Sequence, residues 1–79
     1  MTPRDIFEYK QRWLRDGGGY TVRLHSDIRS RGVEYCKTHL EKHQWDFEIY
    51  SGVYEDTFYF EHKHHADEFK KQWPEFTDQ

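Results

Sequence analysis

Two alternating stretches followed directly by a helical pattern constrain the fold of this chain most strongly. Between Trp45 and Trp73 the sequence reads WDFEIY, SGVYED, TFYFE and then HKHHADEFKKQW. Apolar residues occupy every second position of the first and third segments, which is typical of half-buried β-strands. In the last segment Ala66, Phe69 and Trp73 fall on one stripe of a helix. The stretch therefore predicts a β-hairpin that leads into a helix.

The chain is long enough for one small domain, which we assign to residues 1–79. A domain of this size buries only about 60% of the surface of its unfolded chain. Only 34% of its 79 residues are apolar, and the 15 Phe, Tyr and Trp residues make up more than half of these. Large aromatic rings must therefore build most of the core.

The N-terminal part predicts a helix, a strand and a second helix. Thr2-Pro3-Arg4-Asp5 has the pattern of a capped helix start, and the helix is expected over about residues 3–16, before three glycines that end it. Residues 20–25 alternate as a strand. Ser26-Asp27 begins a second helix that we expect to run to about His43. Gly32 in this helix indicates close packing against the sheet, because a mid-helix glycine otherwise costs about 1 kcal/mol.

The predicted fold class is α+β. An N-terminal helix precedes a β-α-β-β-α core over about residues 19–73, which is the ferredoxin-like pattern without its last strand. We expect a three-stranded antiparallel sheet in the order 1-3-2, with the helices of the core on one face. The last helix is predicted over about residues 64–73, before Pro74, and the tail 75–79 is expected to fray.

The opposite face of the sheet is the predicted interface. With the apolar stripe of the first helix, it supplies these candidate residues: Tyr9, Trp13, Arg23, His25, Glu48, Tyr50, Tyr59 and Glu61. One interpretation packs Ile6, Tyr9 and Trp13 against the two sheet tyrosines, within the chain or across a homodimer. The alternative is a nucleic-acid-binding face, in which Tyr50 and Tyr59 stack bases beside Arg23. Glu48 and Glu61 oppose it, because they would repel phosphate.

The charge is unevenly distributed along the chain. Residues 1–31 carry seven basic and four acidic side chains, whereas residues 32–79 carry five basic and eleven acidic ones. This polarity favours association with a charged protein partner or with a second copy of the chain.

The histidines and the cysteine suggest a second alternative, a metal-binding protein. Cys36, His39 and His43 would share one face if the second helix extended that far, and the two histidines have the spacing of a zinc pair. The spacing lacks the glutamate of a metalloprotease, and Cys36 falls on the core stripe. Our prediction is therefore no metal and no cofactor, with six histidines that make association or solubility depend on pH.

Several functional classes have little support in the sequence. We find no nucleophile elbow, no phosphate loop and no acid/base pair, since Glu55-Asp56 falls in the expected hairpin turn and is interpreted as a solvated loop. We therefore predict that the protein is not an enzyme. The single cysteine, the lack of a long apolar run and the lack of a signal-peptide pattern predict a cytoplasmic protein with no membrane association.

One segment resembles a group of phage proteins. FYFE at positions 58–61, followed by Ala66, Phe69-Lys70 and Trp73, is similar to the ending of short uncharacterised accessory proteins of tailed phages, especially those that infect cyanobacteria. The resemblance implies a phage-encoded protein that acts in the host cytoplasm by binding a host factor. Together with the residue patterns, it leads to our predicted function, a small non-enzymatic protein-interaction module.

Overall fold

The computed structural model describes residues 1–49 and 54–77. Within these residues the chain is an α+β fold with one three-stranded antiparallel sheet. Its main elements are α1 (Pro3–Arg15), β1 (Tyr20–His25), α2 (Arg29–His39), β2 (Trp45–Ile49), β3 (Glu55–Phe60) and α3 (Lys63–Gln72). The predicted class, an N-terminal helix followed by a β-α-β-β-α core, is confirmed.

The N-terminal helix begins and ends for the reasons that its sequence indicates. The Thr2 hydroxyl accepts a hydrogen bond from the Asp5 N–H at 3.2 Å, and the Asp5 carboxylate accepts one from the Thr2 N–H at 3.1 Å. These bonds also lower the pKa of Asp5. After α1, Gly17, Gly18 and Gly19 all adopt positive φ angles, between 66° and 102°, which glycine accepts without a steric penalty.

The sheet has the order β1-β3-β2, as predicted. Phe58 of the central strand lies opposite Val22 on one side and Phe47 on the other. Because this register is shared across all three strands, alternate residues of each strand face the same side. The predicted connection between β2 and β3 falls mainly on residues 50–53, which lie outside the described residues.

The core lies between the inner sheet face and the two helices α2 and α3. Phe58, Phe60 and Phe69 are fully buried, and the ring of Phe69 lies 4.9 Å from that of Phe58 and 5.1 Å from that of Phe60. A Cβ atom at Gly32 would lie 2.6 Å from Leu24 Cδ2. The predicted reason for this glycine, close packing of helix against sheet, is confirmed.

The second helix is shorter than predicted. It ends at His39, and Leu40 has the extended backbone angles φ −127° and ψ 154°. A separate turn of 3-10 helix follows over Lys42–Gln44, and the Glu41 N–H donates to Gln44 Oε1 at 3.0 Å to begin it. The expectation that His43 continues the same helix is therefore wrong.

A buried carboxylate lies where the sequence suggested a solvated turn. The strand β3 begins at Glu55, and the side chain of Asp56 is fully buried on the inner sheet face. Arg29 at the start of α2 donates from Nε to Asp56 Oδ2 at 2.7 Å and from Nη2 to Oδ1 at 3.3 Å. The bond to Asp56 raises the pKa of Arg29 further. This bidentate ion pair supplies the positive charge that a buried carboxylate requires.

The tail does not fray at Phe76 and Thr77. The His25 N–H donates to the Phe76 carbonyl at 2.9 Å, and Thr77 forms an isolated β-bridge with Leu24. The tail therefore covers part of the free edge of β1.

None of the helices in the described part of the chain has the length and apolar character of a membrane span.

We expect Arg29→Met to lower the free energy of unfolding by about 2–4 kcal/mol, because Asp56 would be buried without a cation. We place the loss slightly below the usual range because the Arg29 side chain is 36% exposed. Urea unfolding measures the change. Arg31→Met, at an exposed position of the same helix, is the control and should change stability by less than about 0.5 kcal/mol. Equal effects of the two substitutions would contradict a structural role for the pair.

Candidate functional site

The outward-facing residues of the three strands form a continuous surface, which we call the outer sheet face. It comprises Thr21, Arg23, Asp46, Glu48, Thr57 and Tyr59. The register aligns Thr21, Tyr59 and Asp46 in one row and Arg23, Thr57 and Glu48 in the next. The predicted candidates Arg23, Glu48 and Tyr59 are therefore brought together. Tyr50, another candidate expected on this face, lies outside the described residues.

Two hydrogen bonds orient the polar groups of the outer sheet face. The Tyr59 hydroxyl donates to Glu48 Oε2 at 2.7 Å, across adjacent strands. Asp46 Oδ1 accepts from the Phe47 N–H at 2.9 Å. The second bond occupies a backbone donor of an edge strand, and occupied donors make an edge less available for pairing with another strand.

The first helix lies across one end of the sheet and is held there by polar contacts. The Tyr9 hydroxyl donates to Glu61 Oε2, and the indole Nε1 of Trp13 donates to the His43 carbonyl at 2.9 Å. The Tyr9 ring also meets the His43 ring edge-on, with the centroids 5.0 Å apart. The candidates Tyr9, Trp13 and Glu61 thus hold α1 to the rest of the fold.

The described contacts of α1 lie mainly at the end of the sheet. Tyr9 reaches Glu61, just beyond the end of β3, and Lys10 places its ammonium group 5.9 Å from the centroid of the Trp45 ring. Phe7 on the same helix is 61% exposed. The predicted packing of α1 on Tyr50 falls outside the described residues. Within residues 1–49 and 54–77, α1 therefore borders the outer sheet face and does not cover most of it.

A hollow of about 360 Å³ separates α1 from the outer sheet face. Gln11 and Leu14 line it from the helix, while Asp46, Glu48 and Tyr59 line it from the sheet. A second hollow, of about 420 Å³, lies on the other side of Gln11 and is lined by Phe7, Glu8, Arg12, Arg15 and Asp16. Neither hollow could be predicted from the sequence, because both depend on the angle at which α1 crosses the sheet.

The candidate His25 lies at the opposite end of β1. Its Nδ1 accepts a hydrogen bond from the Asp27 N–H at 3.2 Å, so it caps the turn that precedes α2. Its ring lies between those of Tyr54 and Phe76, at 6.3 Å and 6.2 Å. Tyr54 and Phe76 are 76% and 42% exposed. This aromatic group was also missed, because the tail that brings Phe76 there was expected to fray.

Three histidines cluster at the start of α3. The rings of His64 and His65 lie 4.1 Å apart, and that of His62 lies 5.6 Å and 5.4 Å from them. Burial lowers the pKa of His65, and positive charge on His64 and His62 would lower it further, whereas Glu61 opposes the shift. His62 Nε2 lies 3.3 Å from Glu61 Oε1, so the cluster contacts the carboxylate that holds Tyr9.

The alternative metal set is not assembled. Cys36 is fully buried in the core, where burial raises its pKa to about 12. His39 packs on the Tyr35 ring at 4.5 Å, while His43 lies beyond the end of α2 and contacts Tyr9. Within residues 1–49 and 54–77, no three His, Cys, Asp or Glu side chains are placed so that they could hold one metal ion.

All three tryptophans make contacts within the chain. Trp13 donates its indole N–H to the His43 carbonyl, and Trp45 is only 7% exposed. Trp73 contacts the rings of Phe69 and Tyr35 at 5.3 Å and 5.7 Å. Among the described residues, the most exposed aromatic side chains are Phe7, Tyr20, Tyr54 and Phe76.

We expect Tyr9→Phe to lower the free energy of unfolding by about 1–3 kcal/mol, because Glu61, only 15% exposed, would lose a donor. The same bond raises the pKa of Tyr9. Burial also raises the pKa of Tyr35. An ultraviolet titration of the wild type should therefore show more than one tyrosine that ionises late, and Tyr9→Phe should remove one of them. Tyr20→Phe, at a 46% exposed position, is the control. A titration unchanged by Tyr9→Phe would contradict the assignment.

Stability should fall as the pH drops below about 6.5, the ordinary pKa of histidine. Because the pKa of folded His65 is lowered, the unfolded chain takes up a proton that the folded chain resists. The contribution of His65 to the free energy of unfolding is therefore complete above about pH 6.5 and is lost as the pH falls toward the pKa of His65 in the folded state. Urea unfolding at pH 8 and 5.5 should show a smaller pH effect in His65→Gln than in the wild type. The exposed His39→Gln should retain the wild-type difference, and loss of that difference in both variants would contradict the role of His65.

Comparison with known proteins does not identify a relative. No protein-family model, curated protein or solved structure matches this chain. The assignment of function therefore depends on the geometry and charge of the surfaces described above.

Proposed function

We propose that this protein is a non-enzymatic protein-interaction module that binds a partner through its outer sheet face. The observation that carries the proposal is the arrangement of the layers. The helices α2 and α3 cover the inner face, since their residues Gly32, Cys36, Ala66 and Phe69 are buried, while α1 crosses only the end of the sheet. Within residues 1–49 and 54–77, the face that carries Asp46 and Glu48 is therefore bordered by a helix and not covered by one.

The charge of this face favours a protein over a nucleic acid. Asp46 and Glu48 lie on it, and Glu55 lies opposite His25 at its margin. The only basic side chain among the six residues of the outer sheet face is Arg23. Phosphate contacts supply most of the affinity of nucleic-acid-binding proteins, and three carboxylates would oppose them. An acidic surface with a tyrosine fits a protein surface that presents basic and apolar side chains.

Two further observations support a non-enzymatic role. The thiol of Cys36 is fully buried, and its pKa of about 12 keeps it protonated, whereas a nucleophilic cysteine requires a thiolate. Glu55 and Asp56 do not form an acid/base pair in a loop, because Asp56 is buried and bound to Arg29.

The resemblance to phage proteins extends the proposal to a host protein as partner, in the host cytoplasm. Its residues belong largely to the core, since Phe58, Phe60, Ala66 and Phe69 are buried. Shared residues of this kind indicate a shared core, and each protein can carry its own contact surface. The outer sheet face would then decide which host protein is bound.

Affinity capture from lysate of the encoding organism or its host, followed by binding measurements on the isolated partner, tests the proposal. We expect Tyr59→Ala and Glu48→Lys each to weaken the complex by about tenfold or more, as substitutions at the centre of an interface do. Glu34→Lys introduces the same charge change at an exposed position of α2 and should leave binding unchanged.

A partner whose binding is unaffected by both substitutions would contradict the choice of surface. A complex with a fluorescent oligonucleotide, weakened by salt and by Tyr59→Ala, would favour the nucleic-acid alternative and overturn the proposal.

A further inference from the structure

The outer sheet face is bordered by a helix of opposite charge. The hollow between α1 and the sheet has Asp46 and Glu48 on one side, while Arg12 and Arg15 line the hollow on the far side of the helix. Gln11 lines both hollows. The hollow on the far side is also lined by Glu8, which is paired with Arg4, and by Asp16, so its lining is not uniformly basic. We call Arg12 and Arg15 the basic strip and Asp46 and Glu48 the acidic strip, and Gln11 and Leu14 lie between them.

Neither strip is neutralised within the described part of the chain. Arg4 of the same helix pairs with Glu8 at 3.2 Å, and Arg29 pairs with Asp56. By contrast, the side chains of the two strips form no ion pair with each other or with any other residue among 1–49 and 54–77. Both arginines and Glu48 are exposed. Two complementary sets of charge thus remain available to a partner.

The distance between the two arginines of the basic strip is similar to the distance between the two carboxylates of the acidic strip. Residues three apart on a helix lie about 5–6 Å apart on its surface, and residues two apart on a strand lie about 6.6 Å apart on one face. The arginine pair on α1 and the carboxylate pair on β2 can therefore meet in register. They cannot do so within one molecule, because the contacts of Tyr9 and Trp13 hold α1 across the end of the sheet.

We propose that the outer sheet face binds a second copy of this chain in a symmetric dimer. Its two-fold axis lies along the hollow, so that Arg12 and Arg15 of each copy face Asp46 and Glu48 of the other. In such a dimer the same surface serves both subunits and every contact occurs twice. The inference rests on the proposed function of this face as an interaction surface, and it names the partner.

Apolar surface at the same place adds to the charge complementarity. Phe7 lies beside the arginine strip and is 61% exposed. Leu14 and Tyr59 line the central hollow. Solvent-exposed ion pairs are weak and screened by salt. The dimer should therefore form at micromolar or higher concentrations and dissociate more readily as the salt concentration rises.

Sedimentation equilibrium of the full chain tests the proposal. At low salt the wild type should show a concentration-dependent dimer, and about 0.5 M salt should raise its dissociation constant by about tenfold or more. Arg12→Glu and Glu48→Arg should each weaken self-association, because each places like charges opposite one another twice. The matched controls are Lys37→Glu and Glu34→Arg at exposed positions of α2, and neither should change it.

An equimolar mixture of Arg12→Glu and Glu48→Arg distinguishes this dimer from others. In the mixed dimer, the substituted residue of each copy faces an opposite charge, so association should return toward the wild-type value. Thermal unfolding of each variant alone excludes misfolding as the cause of a loss.

A monomer at all concentrations in low salt overturns this inference, as does a dimer that the charge reversals do not affect or a mixture that does not associate. None of these results by itself removes the proposed function, which fails if Tyr59→Ala and Glu48→Lys leave binding to a captured partner unchanged or if the face binds an oligonucleotide instead. The two proposals can therefore fail separately.

Discussion

The close contact at Gly32 is the constraint on which the rest of the structure depends. The space left by the missing side chain is occupied by Leu24, Phe58 and Phe69, which come from a strand at the edge of the sheet, the central strand and the last helix. All three are fully buried. A chain with so few aliphatic residues can build a core only if large rings pack closely, and this glycine lets α2 approach them. Two helices can then cover one face of the sheet, while among the described residues α1 borders the other face.

The first helix is held to the rest of the structure by hydrogen bonds more than by burial of its side chains. None of its residues is fully buried, and it is held by the Tyr9–Glu61 and Trp13–His43 hydrogen bonds at the end of the sheet. Such contacts fix the position of a helix without removing much apolar surface from water. Their position also explains the shape of the candidate interface, because the helix borders the outer sheet face and does not cover it.

The basic and acidic parts of the sequence come together on one surface because of this arrangement of helices and strands. The basic first part of the sequence supplies Arg12 and Arg15, and the acidic second part supplies Asp46 and Glu48. The fold places the two sets side by side on one surface. The histidine cluster at the start of α3 contacts Glu61 through His62. Protonation of the cluster therefore acts near the end of the sheet that holds α1, and away from Arg23 on the outer sheet face.

Much of this architecture could be predicted from the sequence, because it follows from local patterns. The alternation at Tyr20–His25 and Trp45–Ile49, the cap at Thr2 and the break at Gly17 act within a few residues. Together they specify the element types, the strand order and most residues of the inner face, although Ile49 at the end of β2 is 58% exposed. The outer sheet face could be predicted for the same reason, since the period of a strand assigns alternate residues to opposite sides.

Features that depend on contacts between distant residues could not be predicted in this way. Asp56 resembles a turn residue in sequence, and only the approach of Arg29 across the fold makes its burial tolerable. Tyr9 and Trp13 have the spacing of core residues, but their polar atoms find partners at the end of the sheet. The sequence by itself determined which residues could form the two faces of the sheet, because periodicity is local. The tertiary structure alone decided which face stays open and what borders it, because these depend on how whole elements pack.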